Sequence, residues 1–325
     1  MTEHTILITA PFTDPERERL ARLGRVVYLP WIDNGTPHTE EQMVSLVAEH
    51  RPAAIIVELD PITEAVLAAA DVTVVGCCRA GVVNVDVDAA RARGVRVLRT
   101  PGRNAEAVAQ YVVGMMIVSL RNLVAGREWL LAGEWGKGER PYLKFRGEEL
   151  GSKTVVLHGF GAVGRRVAEL LAPFGPRILA IDPYVTDSGM PNVEMATTED
   201  AYAQADILSV HLPVTPETTG SIDAGRLSRL PDGAILINSA RAAVLDYDAL
   251  DAEVANGRLR AVLDVYREEP LTDLDRGLTT RAGVIATPHL AGATHEVVMH
   301  HSIAMADAVT AALTGDEIAP RFVAV

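Results

Sequence analysis

Three short segments in the second half of the sequence set ionisable residues just after apolar runs. Arg241 follows "GAILINSA", His289 follows "VIATP", and Asp264, Arg267, Glu268 and Glu269 sit in and after "RAVLDV". Such runs read as strands, and in an open α/β sheet ligands lie outside the carboxyl ends of the strands. An arginine, a carboxylate and a histidine converging there have a definite chemistry. The guanidinium can clamp a carboxylate in a bidentate fork. A histidine paired with a carboxylate gains a fixed tautomer and a raised pKa, which suits an acid/base group near neutral pH. Taken singly, each residue also has a plain structural reading. Arg241 could be a surface ion-pair partner, Glu269 one acid in a solvated run, and His289 a loop residue satisfied by backbone.

Upstream, "KTVVLHGFGAVGRRVAELL" reads as a strand, a glycine turn and an amphipathic helix, with Gly159, Gly161 and Gly164 spaced G-x-G-x-x-G. The first glycine permits a tight turn. The second lets the backbone approach a pyrophosphate, and the third lets helix and strand pack closely. The helix N-terminus then presents free N–H groups and the positive end of its dipole to the phosphates. The next strand, "RILAID", ends in Asp182. An acid about 20 residues past the turn accepts from a ribose 2′-hydroxyl and repels a 2′-phosphate, which favours NAD over NADP. Pro183 and Tyr184 follow, with no arginine beside them to receive a phosphate. A methyltransferase also uses a glycine-rich first turn and an acid after its second strand, but the three later segments weigh against that reading.

These residues need strands to carry them. "TILITA", "RVVYLP", "AAIIVE", "VTVVGCC" and "VRVLRT" read as strands in the first third, with helices such as "DPERERLARLG" and "PITEAVLAAAD" between them. The alternation resumes after Lys153 with "TVVLHG", "RILAID", "ADILSVHLP", "GAILINSA", "RAVLDV" and "VIATP". This β-α-β order predicts parallel sheets covered by helices on both faces. Between the halves, residues 104–131 read as one long buried helix with Asn104 as its N-cap, followed by a glycine- and charge-rich crossing segment. "THEVVMHHSIAMADAVTAALTG" reads as a final long helix, with His295, His300 and His301 as surface or packing residues.

At 325 residues the length suggests two domains. The formal charge of −13 argues against nucleic acid or an anionic membrane surface as the main partner. The two cysteines, Cys77 and Cys78, are adjacent, which suits neither an unstrained disulfide nor a metal site. "MTEHTILITAPF" lacks the basic start and long apolar run of a signal peptide. Tyr111–Leu120 is too short to span a bilayer. A reduced, cytoplasmic protein without a metal is the expectation.

Together, "HGFGAVGRRVA", "VHLPVTPETTGSI", "LINSARAAVLDYDAL", "LDVYREEPL" and "TPHLAGAT" resemble the NAD-dependent D-isomer-specific 2-hydroxyacid dehydrogenases, the group containing D-3-phosphoglycerate dehydrogenase. The resemblance runs in register over nearly the whole chain. It implies a Rossmann cofactor domain, residues 104–295, inserted into a flavodoxin-like substrate domain made of residues 1–103 and 296–325. It also implies a homodimer formed through the cofactor domain and a small anionic 2-oxo or 2-hydroxy acid as substrate. In that pattern Arg241 binds the substrate carboxylate, His289 is the acid/base, and Glu269 rather than Glu268 orients it. NAD would be held by Gly159, Phe160, Gly161, Ala162, Val163, Gly164, Asp182, His211, Leu212, Pro213, Ser239, Ala240 and Asp264, the last at the nicotinamide carboxamide. Substrate would meet the Arg79, Ala80, Gly81 loop and Asn104.

The chain departs from the pattern in several places. Glu58 and Leu59 replace an Arg-Ser pair, and an acidic residue there counts against 3-phosphoglycerate. Val83 stands for an aspartate, Gln110 for a glutamate, and Ala242 for a glycine, where a positive φ would cost about 1 kcal/mol. Arg79 could supply a second anion contact or form an ion pair. Relatives acting on phosphoglycerate, phosphite, a phosphonate or formate, and dinucleotide-sensing corepressors of the same fold, are the alternatives that these residues leave open.

Overall fold

A computed structural model describes residues 4–136, 138 and 140–325, so that Lys137 and Glu139 of the crossing segment lie outside the described residues. The chain divides into two units, Met1–Asn104 with Thr294–Val325, and Ala105–Ala293. The divisions fall one residue after and two residues before the expected ones.

Unit 1 carries a five-stranded parallel sheet of β1 (His4–Ile8), β2 (Gly24–Tyr28), β3 (Ala54–Val57), β4 (Val74–Cys77) and β5 (Arg96–Arg99) in the order β2-β1-β3-β4-β5. This is the flavodoxin-like order. Strands β3 and β4 are buried along their whole length, as expected where helices cover both faces of a parallel sheet. The helix His295–Thr314 returns to this unit and lays Met305, Ala306 and Val309 against Ile6, Ile8, Ile56 and Val74. Its 20 residues are long and apolar enough to match a membrane span, but its buried face belongs to this core. Cys77 and Cys78 are buried free thiols, and burial pushes Cys77 up to about 11.

Unit 2 carries seven parallel strands. These are β6 (Thr154–His158), β7 (Arg177–Ile181), β8 (Val193–Met195), β9 (Ile207–Val210), β10 (Ile235–Asn238), β11 (Arg260–Leu263) and β12 (Val284–Ala286), in the order β12-β11-β10-β9-β6-β7-β8. The order reverses between β6 and β9, as in a Rossmann sheet, so the glycine turn after β6 opens at the switch point. Strand β8 is the one that periodicity does not show. It has three residues at the sheet edge in a polar stretch, too short for an alternation to register.

The long helix expected over 104–131 is two helices, Ala105–Leu120 and Leu123–Leu131, bent by 61°. The break falls at Asn122, whose φ of 52° lies in the left-handed region that asparagine tolerates. The apolar pattern runs on across the bend, because the first helix is buried while the second has no buried residue. The crossing segment holds a short helix, Pro141–Lys144.

Candidate active site

The glycine turn is built by close approaches. Gly159 has a φ of +101°, and a Cβ there would lie 2.6 Å from the carbonyl oxygen of His211. A Cβ on Gly164 would lie 2.2 Å from the carbonyl oxygen of Gly159, so helix and strand meet only because that carbon is missing. Gly161 caps the helix Ala162–Leu171, and nothing lies within 4 Å of where its Cβ would stand. Ala162 and Val163 form the first turn of that helix. The Asp182 carboxylate accepts from the backbone N–H of Phe160 (2.8 Å) and of Tyr184 (2.9 Å), which fixes its rotamer beside the turn.

On the other side of the switch point, His211, Leu212 and Pro213 follow β9, with the Pro213 carbonyl held by Thr218 at 2.6 Å. His211 Nε2 lies 3.0 Å from Ser209 Oγ, and burial, with His158 nearby, pushes this histidine down to about 3. His158 is buried beneath the turn with Nδ1 2.9 Å from the Tyr202 hydroxyl, and is pushed down to about 4. After β10, Asn238 donates to the Arg241 carbonyl and accepts from Ala240 N, both at 3.1 Å, pinning the turn that carries Arg241. Ser239 Oγ is buried without a hydrogen-bond partner. Ala242 has no positive φ, so alanine costs nothing there.

The buried neutral histidines bear on acid stability. His158 and, in unit 1, His301 both have folded values of about 4, below the unfolded value near 6.5. Below pH 6.5 the unfolded chain therefore binds more protons. Stability is full above that pH and falls by about 1.4 kcal/mol per pH unit for each histidine until pH reaches about 4. Urea unfolding at pH 7.5, 6 and 5 should show the midpoint dropping, and a constant midpoint would contradict this account.

The three catalytic candidates share one cavity. Arg241, Glu269 and His289, with Val214, Val265 and Tyr266 among its other walls, line a space of about 450 Å³. His289 Nδ1 lies 2.6 Å from Glu269 Oε2, and the other Glu269 oxygen accepts from Tyr266 N at 3.1 Å. His289 has a φ of 51°, a sparsely populated conformation for a non-glycine residue, of the kind that gathers at functional sites. Arg241 is exposed, with Nη1 donating to the Ala240 carbonyl at 2.6 Å. Glu268 turns outward to accept from Thr272, and Arg267 pairs with Asp275 and Asp248.

Asp264, which the resemblance sets at the nicotinamide carboxamide, follows β11. It is fully buried, and its oxygens accept from Thr287 Oγ1 (2.6 Å), Leu290 N (2.9 Å) and Ala291 N (2.8 Å). Its carboxylate thus ties down both sides of His289. Thr287 is held further by Tyr111, whose hydroxyl lies 2.6 Å from Oγ1, and by Tyr266, whose hydroxyl donates to the Thr287 carbonyl at 2.8 Å. Sequence reading gave no positioning role to Asn238, Thr287, Tyr111 or Tyr266, because their partners are distant in the chain and their types are unremarkable in apolar runs. In unit 1, Ala80 and Gly81 are exposed on the loop after β4, and the Arg79 side chain makes no hydrogen bond or ion pair among the described residues. Among the described residues no three His, Cys, Asp or Glu side chains come together as a metal site.

A doubly wound sheet with a glycine turn at its switch point defines a dinucleotide-binding domain. Residues 113–291 match the family model described as the NAD-binding domain of D-isomer specific 2-hydroxyacid dehydrogenases. The chain belongs to that family. It is 41% identical over 301 residues, 91% of this chain and 87% of the relative, to YoaD of Bacillus subtilis (strain 168), named provisionally as a 2-hydroxyacid dehydrogenase. It is 35% identical over 301 residues to D-3-phosphoglycerate dehydrogenase of Mycobacterium tuberculosis (strain H37Rv), covering 91% of this chain but 55% of that one. Among solved structures, the TT0316 protein from Thermus thermophilus superposes with a TM-score of 0.82 at 30% identity, over 99% of this chain and 100% of that one.

The residues present fit NAD on three observations. Gly161 leaves open space at a helix N-terminus, the Asp182 carboxylate is fixed beside the turn, and Ser239 Oγ is a buried hydroxyl without a partner.

Proposed function

We propose that the protein interconverts a small 2-oxo acid and the D-2-hydroxy acid, with NAD(H) held by the Gly159–Gly164 turn, Asp182, the His211–Pro213 segment and the Ser239–Ala240 turn. Bound NADH supplies the hydride. Arg241 binds the substrate carboxylate and orients the ketone. Glu269 accepts from His289 Nδ1, which leaves Nε2 to give a proton to the ketone oxygen, and to take it back in the oxidation. Asp264, through Thr287, Leu290 and Ala291, holds the histidine loop. The observation that carries this reading is the shared cavity of Arg241, Glu269 and His289, with its 2.6 Å histidine–carboxylate contact.

The test is NADH oxidation by the purified protein with glyoxylate, hydroxypyruvate, pyruvate, 2-oxoglutarate and phosphohydroxypyruvate, with NADPH in parallel. Turnover of at least one 2-oxo acid, faster with NADH, is expected. Tight NADH binding with no turnover on any acid would point instead to another small anion or to a sensor.

The same reading includes a homodimer formed through unit 2. Leu123, Leu130, Leu131, Trp135, Tyr142 and Leu143 are exposed there within one stretch of chain. Exposed apolar side chains gathered in one stretch of chain suit a subunit contact. Sedimentation at micromolar concentration should give a dimer, and Trp135→Glu with Leu131→Glu should shift it towards monomer.

A further inference from the structure

The amino end of the unit 2 sheet carries another cavity, of about 640 Å³, whose walls all belong to this unit. Arg260 opens β11 and Val284 opens β12, whereas Asp264 and His289 follow the carboxyl ends of the same two strands. The bend at Asn122 closes one side, with Val118 and Ser119 before it and Val124 and Glu128 after it. Arg260 is half-buried there, and a cation taken out of water needs a partner. The only hydrogen bond of its side chain among the described residues runs from Nη1 to the Ser119 carbonyl at 3.1 Å, and no ion pair is made. Burial holds the guanidinium below the usual arginine range, opposed only in part by the charge of Glu148, which Lys153 itself engages at 2.6 Å. With Nη1 occupied, Nε–H and Nη2–H remain. These are the parallel donors of the guanidinium edge that grips a carboxylate at two points. The hydroxyl of Ser119, a residue only 7% exposed, is buried without a partner. Arg281, the other arginine in the wall, is already held by Asp251.

Val118, Val124, Val284 and Ile285 give the cavity apolar walls, and the exposed Glu128 adds a carboxylate. We propose that this cavity binds a monocarboxylate with a short apolar chain. The carboxylate takes the open edge of Arg260, the chain lies against the valines and Ile285, and Glu128 turns away a second negative charge. One anion supplies the partner that the half-buried guanidinium lacks, and the chain leaves water as it binds. The site is separate from the Arg241 cavity, which lies past the carboxyl ends of β10 and β11. It therefore does not depend on what the protein turns over.

The experiment is calorimetric titration with hexanoate, adipate and hexylamine. It uses the wild type, Arg260→Gln, Arg241→Gln and Glu128→Gln, with folding checked by circular dichroism and melting. Hexanoate should bind the wild type and Arg241→Gln alike, and adipate and hexylamine about tenfold more weakly or less. Arg260→Gln removes the charge that holds the carboxylate, so it should weaken hexanoate by about tenfold or more while NADH affinity is unchanged. Glu128→Gln should strengthen adipate relative to hexanoate, which decides the matter if Arg260→Gln does not fold. No binding of hexanoate to the wild type overturns the inference. So does binding that is lost in Arg241→Gln and kept in Arg260→Gln, or a ratio of adipate to hexanoate that Glu128→Gln leaves unchanged. Hexylamine binding as tightly as hexanoate would mark adventitious apolar binding, and overturns it as well.

Discussion

His289→Asn is expected to lower kcat for reduction of the preferred 2-oxo acid by about 10²–10⁴-fold, the usual worth of a positioned acid/base. Asparagine is the informative replacement because it tolerates the positive φ of 51° found at this position, so the loop should keep its path. It cannot give up a proton at the place of Nε2. NADH affinity should change little, because the turn, Asp182 and the segments after β9 and β10 are untouched. Fluorescence titration with NADH and steady-state kinetics on the same preparation separate the two effects. A loss below tenfold in kcat, with binding intact, would remove His289 as the proton donor. Glu269→Gln acts through the histidine, and the double variant should cost little more than His289→Asn alone, because the two residues work as one unit.

Gly164→Ala should damage both fold and cofactor binding, whereas Gly161→Ala should damage binding alone. At Gly164 the new carbon would sit 2.2 Å from a backbone oxygen, so the helix must move off the turn. Overpacking of this kind costs about 1–3 kcal/mol. The same movement displaces the N–H groups that face the phosphates, so a rise of about tenfold or more in the NADH dissociation constant is expected. At Gly161 no protein atom lies within 4 Å, so the melting temperature should hold while the methyl occupies space that the pyrophosphate needs. Melting curves and NADH titrations of the two variants provide the check. Equal melting temperatures for Gly164→Ala and the wild type would show that the close approach is not structural.

Much of this was readable from residue order. Eleven of the twelve strands among the described residues announce themselves as apolar runs, because a parallel strand covered on both faces must be apolar throughout. The glycine turn is readable because each glycine answers a local steric demand. Arg241, Glu269 and His289 stand out as charged residues at the ends of such runs. Residue type and spacing alone did not contain the choice among neighbours. Glu268 and Glu269 are equivalent by both, and what separated them in the sequence was the family pattern; the fold turns Glu269 towards His289 and Glu268 towards Thr272. Asp264 reads as one more acid at a strand end, yet it is buried beneath the histidine loop with its oxygens held by residues more than 20 positions away. The bend at Asn122 is hidden in a continuous apolar pattern, and His301 reads as one of three histidines on a helix until Pro11 and Arg103 are brought to it. Local periodicity reports which face of an element is apolar and which turns are sterically possible. The partners of a buried polar group are set by contacts distant in sequence, and those exist only once the sheets have formed.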